Sequence, residues 1–417
     1  MISRKKMGAA VALLMVLVIG VATLLPARAP IPRRVAALCI GWCDDTRAAD
    51  LVLNILLFAP LGFAGRLAGI RSRTVIFAGA AFSLCIELLQ WRVIPGRDAS
   101  ILDVFANSLG TAVGVLLAAY IGLLVRPGCR AATRLVLAGA LVWCGALFAA
   151  AWAVRPAPTS KPFWGQRTPQ LSEPLPYGGE VMRARVNGED LPSNRLVHDE
   201  AIRESLRQGM LHLDVQVRPD RLTRLSSTII RIADEDQREI LRLSQRRGDI
   251  VFSMRLNATR LRLRTPSVTL ASAFGTAPAA PSSEADVSVD VRDGLVRLAS
   301  TRAGESRQVQ LALTPALAWT FFVPWNYSLG PSGLVFTWLW LAAPLLPVGF
   351  WMMRLRGCPG AGWPIGFALI TLVVSLVSAP RLFGLPPMHL SHWLAAAAGL
   401  GIGWVTALWR EPLPGKA

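Results

Sequence analysis

Charge is what this chain has least of. Asp, Glu, Lys and Arg make up 17% of its 417 residues, against roughly 25% in an average soluble domain. With a mean hydropathy of +0.44, that deficit excludes a chain that is soluble throughout. Cysteine is missing between Cys144 and Cys358, so whatever folds there relies on its core and not on a disulfide framework. Histidine is scarce: His198, His212, His389 and His392 are the whole set. No Cys/His cluster has metal-ligand spacing, and there is no Gly-rich phosphate loop. No metal and no cofactor is expected, and no nucleophile stands out for catalysis.

Positive charge is present in excess, +18 with a pI near 11.1. A pI that high suggests nucleic acid, but much of the excess lies in short loops between apolar runs, where it orients membrane proteins. Nucleic acid is therefore not an expected partner; the lipid bilayer is. Runs of about 20 apolar residues, enough to cross a bilayer, occur at 8–25, 51–70, 74–92, 101–124, 134–154, 333–353, 362–379 and 388–409. The first follows Arg4, Lys5 and Lys6 and reads as an uncleaved anchor, with a signal peptide ending near Ala27-Arg28-Ala29 as the alternative. With the N-terminus inside, Arg71, Arg73, Arg126, Arg130, Arg354 and Arg356 also fall on the cytoplasmic side. The expected fold is thus an all-α polytopic membrane bundle of about eight helices with an inserted extracytoplasmic all-β sandwich, jelly-roll-like. The expected divisions are a five-helix membrane domain at 1–154, a linker at 155–194, the sandwich at 195–315, and a three-helix membrane domain at 316–417. Both termini are expected in the cytoplasm.

The second to fourth spans carry polar groups that hydrocarbon tolerates only when paired or facing a wet cavity. Asp50 and Asn54 lie one turn apart at the start of span two. Glu87 and Gln90 share a face near the end of span three. Asp103 and Asn107 open span four, and Arg97 sits in the loop before it. In the expected orientation all seven lie at the outer leaflet. Gly110 and Gly114 form a G-x-x-x-G that brings span four close to a neighbour, and Pro60 and Gly62 loosen span two. Three readings stay open: helix-pinning hydrogen bonds, a binding site for an envelope molecule, or an acid/base pair of Glu87 and Asp103. Cys39 and Cys43 are placed for a disulfide in the first outer loop. Cys85, Cys129, Cys144 and Cys358 read as small apolar residues.

In the insert, Leu211–Val217 alternates apolar and polar, as a half-buried strand does. Further strands are expected at 227–232, 239–243, 250–256, 260–263, 285–291, 295–298 and 308–313, separated by turn signals at Arg218-Pro-Asp, Arg247-Gly-Asp and Arg292-Asp-Gly. Short strands at such spacing indicate a sandwich. Asp234, Glu235 and Asp236 read as a Ca2+ site or a solvated turn. Residues 271–283 read as a flexible loop. Phe321, Phe322, Trp325, Tyr327, Trp338 and Trp340 read as an interfacial aromatic belt.

The polar residues of spans two to four also resemble the VanZ-like membrane family. The matching pattern is Asp50-x3-Asn54-x3-Phe58-x-Pro60-x-Gly62, then Glu87-x2-Gln90, then Arg97-x5-Asp103-x3-Asn107-x2-Gly110-x3-Gly114. The resemblance covers roughly residues 40–125. It implies a bacterial inner-membrane protein of the cell envelope and a link to low-level resistance to the glycopeptide teicoplanin. It supplies no catalytic residue. The stretch 227–265 resembles a concanavalin-A-like or laminin-G-like jelly roll, a fold that often binds glycans. The function expected from these resemblances is binding or handling of an envelope glycopolymer or lipid-linked precursor. A membrane-embedded enzyme on such a lipid, or a scaffold recruiting partners through the sandwich, are the alternatives.

Overall fold

Long apolar stretches without internal breaks become helices here, because only a helix satisfies every backbone group locally in lipid. In the computed structural model they are α1 (Arg4–Leu24), α2 (Ala48–Leu67), α3 (Ser72–Arg92), α4 (Ile101–Val125) and α5 (Cys129–Val154) before the insert. After it come α6 (Leu334–Ala342), α7 (Leu345–Leu355), α8 (Gly362–Leu382) and α9 (Leu390–Leu408). The structure describes residues 3–24, 48–94, 99–157, 163–167, 177–191, 200, 203–205, 208–219, 226–234, 236, 238–275, 284–323, 328–329 and 333–409. Arg97, the Cys39–Cys43 pair, the Ala27–Ala29 segment, Glu235, Trp325 and Tyr327 lie outside them, as does most of the expected 271–283 loop.

Among the described residues, seven helical stretches are long and apolar enough to cross a membrane, with α6 and α7 together making one, Leu334–Leu355. The eighth expected span, α9, is a helix of 19 residues but falls outside that set. Ser391, His392 and its three glycines dilute its apolar content.

The chain divides into two units, Met1–Ala131 and Ala132–Ala417. The first holds α1–α4. Its core is built on Ile19, Phe58 and Ile86, with the Phe58 and Phe82 ring centres 6.1 Å apart. Contact between α2 and α4 is backbone to backbone. A Cβ at Gly110 would meet the Ile55 carbonyl, and one at Gly114 the Ala59 carbonyl. Because both residue numbers rise together, the two helices run parallel and begin at the same end of the bundle.

The second unit holds nearly all of α5, the sandwich and α6–α9. The strands are β1 (Phe163–Arg167), β2 (Glu180–Val186), β3 (Glu189–Asp190), β4 (Leu211–Arg218), β5 (Ser226–Asp234), β6 (Glu239–Arg246), β7 (Asp249–Met254), β8 (Ser267–Leu270), β9 (Ala285–Arg292), β10 (Leu295–Arg302), β11 (Glu305–Ala312) and β12 (Ser328–Leu329). Two six-stranded sheets stack in the orders β1-β5-β6-β7-β8-β12 and β11-β10-β9-β4-β2-β3. All neighbours are antiparallel except β12 and β8. Alternation places Leu211, Leu213, Val215 and Val217 of β4 (Leu211–Arg218) inward, facing a core that includes Ile230, Leu243 and Phe252 of the other sheet.

Several expectations are corrected by this architecture. Residues 155–194, expected as a linker, contain β1 (Phe163–Arg167) and β2 (Glu180–Val186); β1 pairs with β5 (Ser226–Asp234) and β2 with β4. Pro and Gly around them concealed their short alternation. The expected strand at 260–263 is part of a 3-10 helix, Asn257–Leu261. Phe321 is buried in another 3-10 helix, Pro315–Phe322, and belongs to the core. Phe322 stacks on Trp340, with ring centres 6.1 Å apart. Asp234 does not face solvent or an ion. It is 2% exposed, accepts the Arg238 backbone N–H at 2.8 Å and pairs with Arg255 at 2.9 Å. A cation would have to displace a buried guanidinium there. Cys85 and Cys144 are free thiols. Cys129 and Cys358, read as apolar fillers, are each disulfide-bonded.

The sandwich is seated on helix ends within its own unit. Ala157 donates its N–H to the Arg255 carbonyl, and Asn257 donates to the carbonyls of Arg155 and Trp152. The β9–β10 turn at Gly294 lies against Leu385 and Pro386 of the α8–α9 loop. Trp319 donates its indole N–H to Thr337 Oγ1 of α6 at 3.0 Å.

Candidate functional site

The polar residues of the first unit gather where α2 and α4 begin and α1 and α3 end. That end has a built-in electrostatic demand. Helix N-termini leave N–H groups unpaired and carry partial positive charge, while C-termini leave carbonyls. Asp50 lies in the first turn of α2 and Asp103 in the first turn of α4, where carboxylates are favoured.

The structure divides the predicted residues into two sets. Glu87, Gln90 and Asn107 are buried and join helices. Glu87 Oε2 accepts the backbone N–H of Ser100, the N-cap of α4, at 2.7 Å. It does from a neighbouring helix what a carboxylate at N3 does in a capping box. Gln90 Nε2 donates to the Thr23 carbonyl in the last turn of α1 at 2.9 Å. Asn107 Nδ2 donates to Ser83 Oγ of α3 at 2.9 Å. Asp50, Asn54 and Asp103 form the other set and are half-buried.

The helix-joining set does not use all its bonding capacity. Asn107 is 3% exposed, yet its Oδ1 has no donor among the described residues, and the buried Ser100 Oγ has no partner there either. An unmade buried hydrogen bond costs about 1–3 kcal/mol. The site is rich in acceptors: two carboxylates and an orphaned amide oxygen.

Sequence reasoning did not single out Ser83, Thr111, Thr23 or Ser100. Ser83 and Thr111 are fully buried. Thr111 Oγ1 donates to the Asn107 carbonyl at 3.0 Å, and a Cβ at Gly79 would meet that hydroxyl at 2.5 Å. Gly79, four residues before Ser83 on α3, was the available signal that α3 and α4 meet there. Gly110 and Gly114 contact α2 as described above, and Gly62 faces the Thr111 carbonyl.

The second unit offers a different environment. A cavity of about 440 Å3 between α5 and α6–α7 is lined by residues such as Trp143, Trp340, Pro344, Val348 and Trp351, and no ionisable side chain lines it. On the sandwich, His212 lies between two carboxylates. Its Nδ1 is 2.6 Å from Asp290 Oδ1 and its Nε2 2.7 Å from Asp214 Oδ2. The hydrogen bond to Asp290, and then the charge of Asp214, raise its pKa above 6.5 against the opposing effect of partial burial.

Neither a curated protein nor a solved structure is similar to the chain. Residues 11–124, which run from the first turns of α1 to the last turn of α4, match the VanZ/LLP1 family model. The similarity to that family is therefore confined to the segment that holds the four helices α1–α4.

Proposed function

We propose that the polar end of the α1–α4 bundle binds the polar head of an envelope glycopolymer or lipid-linked precursor at the outer leaflet of the bacterial inner membrane, and that it affects glycopeptide susceptibility in this way. The observation that carries the reading is the buried Oδ1 of Asn107, which has no donor among the described residues, with half-buried Asp50, Asn54 and Asp103 at the same end. An undonated amide oxygen calls for a donor, and sugar hydroxyls and peptide N–H groups fit. The VanZ-like segment supports an envelope role. The excess of Lys and Arg in the alternate loops supports the orientation that puts this end, and the sandwich, outside the cytoplasm.

A purely structural role is favoured for one set of residues by specific bonds: Glu87 to Ser100, Gln90 to Thr23 and Asn107 to Ser83. The two roles separate by substitution. Glu87→Gln replaces a charge-assisted bond at the α4 N-cap and is expected to destabilise the unit by roughly 1–3 kcal/mol, seen as lower abundance and melting temperature. Asp50→Asn and Asp103→Asn are expected to leave abundance near wild type while teicoplanin tolerance or co-purified lipid falls. If tolerance and co-purified lipid survive both substitutions, the binding reading is wrong.

A further inference from the structure

The helices of the second unit carry arginines and no carboxylate to match them. The sequence has no Asp or Glu between Asp103 and Glu173, and again none between Glu305 and Glu411. Those gaps contain all of α5 and all of α6–α9. The sandwich does carry carboxylates, but it sits at the end of these helices where α5 stops and α6 starts. Arg134 and Arg354 belong to the opposite end, near the start of α5 and the finish of α7. Arg134 is exposed and Arg354 half-buried. The guanidinium carbon of Arg354 lies over the Phe350 ring, 5.2 Å from its centre, and its Nε is buried with no acceptor among the described residues. A cationic group held in a membrane helix calls for an anion, and the helices themselves offer none.

These two arginines lie at the end of the 440 Å3 cavity between α5 and α6–α7. That cavity is a groove. Its floor is buried, at Trp143, Leu147 and Val348, and its rim is exposed, at Ala138, Val142, Pro344 and Pro347. The sequence explains why the helices do not close it. They touch where Gly139 faces Val348, since a Cβ there would lie 2.7 Å from Val348 Cγ2. Ala138 and Ala146 keep the α5 side shallow, and Pro344 and Pro347 fall where the span is interrupted between α6 and α7, as expected of residues that remove helical N–H donors. Arg134 precedes Ala138 by one turn, and Arg354 follows Pro347 by two. Both therefore continue the exposed rim.

The length of the groove limits what fits. From Arg134 to Leu147 on α5, or from Arg354 to Trp340 on α6–α7, the path is about 20 Å. The hydrocarbon of one leaflet is about 15 Å deep and that of the whole bilayer about 30 Å. A single lipid tail entering beside the arginines fills the groove. A molecule with a polar group at each face would overrun it, and no ionisable side chain lines it to receive a second polar group.

We propose that this groove is a binding site for an anionic phospholipid of the phosphatidylglycerol type: one acyl tail lies between α5 and α6–α7, and Arg134 and Arg354 hold the phosphate. The arginine fork matches phosphate oxygens, and the phosphate supplies the acceptor that Arg354 Nε lacks. Basic pockets between membrane helices take anionic headgroups for the same reason. The lipid comes from the leaflet at the arginine end, which the loop charges assign to the cytoplasm and where exposed Arg356 adds a further positive charge. The tail supplies packing that the two helices leave unmade, so bound lipid stabilises the second unit. The site uses other helices and another ligand group than the polar end of the first unit, and it stands or falls independently of the binding role proposed there.

The test uses full-length protein, delipidated in detergent and mixed with phosphatidylglycerol or with phosphatidylcholine carrying the same tails. Bound lipid is counted by native mass spectrometry, and melting temperature is followed in parallel. Wild type is expected to retain phosphatidylglycerol roughly tenfold over phosphatidylcholine and to melt higher in its presence. Arg134→Gln with Arg354→Gln is expected to abolish both effects and to leave the lipid-free melting temperature unchanged. Ala138→Leu with Ala146→Leu, which fills the groove from its rim, is expected to lower retention of both lipids. Equal retention of the two lipids by wild type would overturn the proposal, as would a preference that survives the arginine pair or the filled groove. Should the arginine pair melt lower without lipid, Arg134→Gln alone, at an exposed position, carries the test: a roughly fivefold loss of phosphatidylglycerol is expected, and unchanged retention would overturn the site. Glu411 lies outside the described residues and is the nearest carboxylate in sequence after α9. If phosphatidylglycerol binds only after Glu411→Gln, the arginines are held by the chain's own tail and the proposal falls.

Discussion

At the scale of single residues, one polar side chain type takes opposite roles according to what lies within 3 Å of it. Glu87 and Asp103 looked alike in sequence, both carboxylates near span ends. Glu87 reaches the α4 N-cap and is buried by that bond; Asp103 stays half-buried in the helix it opens. The spacing showed that these groups share one end of the bundle. It did not show which would pair, because Ser83, Ser100 and Thr23 have no distinguishing sequence signal. His212 supplies a prediction at this scale. Its pKa is raised above 6.5 chiefly by the hydrogen bond to Asp290, then by the Asp214 charge. A raised folded-state value means that protonated His212 favours the folded sandwich. This contribution is complete below about pH 6.5 and is lost as pH rises through the folded-state pKa. Asp290→Asn is expected to bring the His212 titration, followed by NMR of the ring protons, back toward its ordinary value. An unchanged titration would mean that Asp290 does not set it.

At the scale of elements, hydropathy made the helices legible and alternation made most strands legible. Strands escaped where their partners are distant and their flanks are Pro- and Gly-rich. β1 pairs with β5 across more than 60 residues, from Phe163 to Asp234, and nothing local to Phe163–Arg167 signals that. The same long-range pairing changes what a fragment can do. A piece spanning 195–315 was expected to fold alone, since it has its own alternation and no cysteine. It lacks β1, β2, β3 and β12, leaving edges of β5, β4 and β8 unpaired, and it ends as the 3-10 helix Pro315–Phe322 begins. Removing these outer strands exposes ladder N–H and C=O groups and inner apolar faces together. Isolated 195–315 is expected to show no cooperative thermal transition by circular dichroism, whereas a fragment spanning 155–332 shows one. Cooperative melting of the shorter piece would show that β1, β2, β3 and β12 are dispensable.

At the scale of the whole molecule, two observations bear on orientation and point in opposite directions. Lys and Arg crowd the loops around Arg71–Arg73, Arg126–Arg130 and Arg354–Arg356, which the positive-inside rule assigns to the cytoplasm. Cys129 and Cys358 lie in or beside two of those loops and are disulfide-bonded, a state that the cytoplasm of most bacteria does not maintain. The charge rule acts during insertion and on many residues at once; a thiol reports only the redox state of the compartment it reaches. The charge bias therefore has the greater weight, and in cells Cys129 and Cys358 are expected to be reduced. Growing cells quenched with acid and then alkylated with a maleimide–polyethylene glycol reagent under denaturing conditions should show Cys129 and Cys358 modified, judged against Cys129→Ala and Cys358→Ala. Phosphatase and green-fluorescent reporters fused after Pro127 and Gly357 would be active only as the fluorescent form, and fusions within the sandwich only as the phosphatase. Blocked thiols together with phosphatase activity after Pro127 would invert the protein in the membrane. The polar end of the first bundle would then face the cytoplasm, and its ligand would have to be a precursor on the inner leaflet, before export.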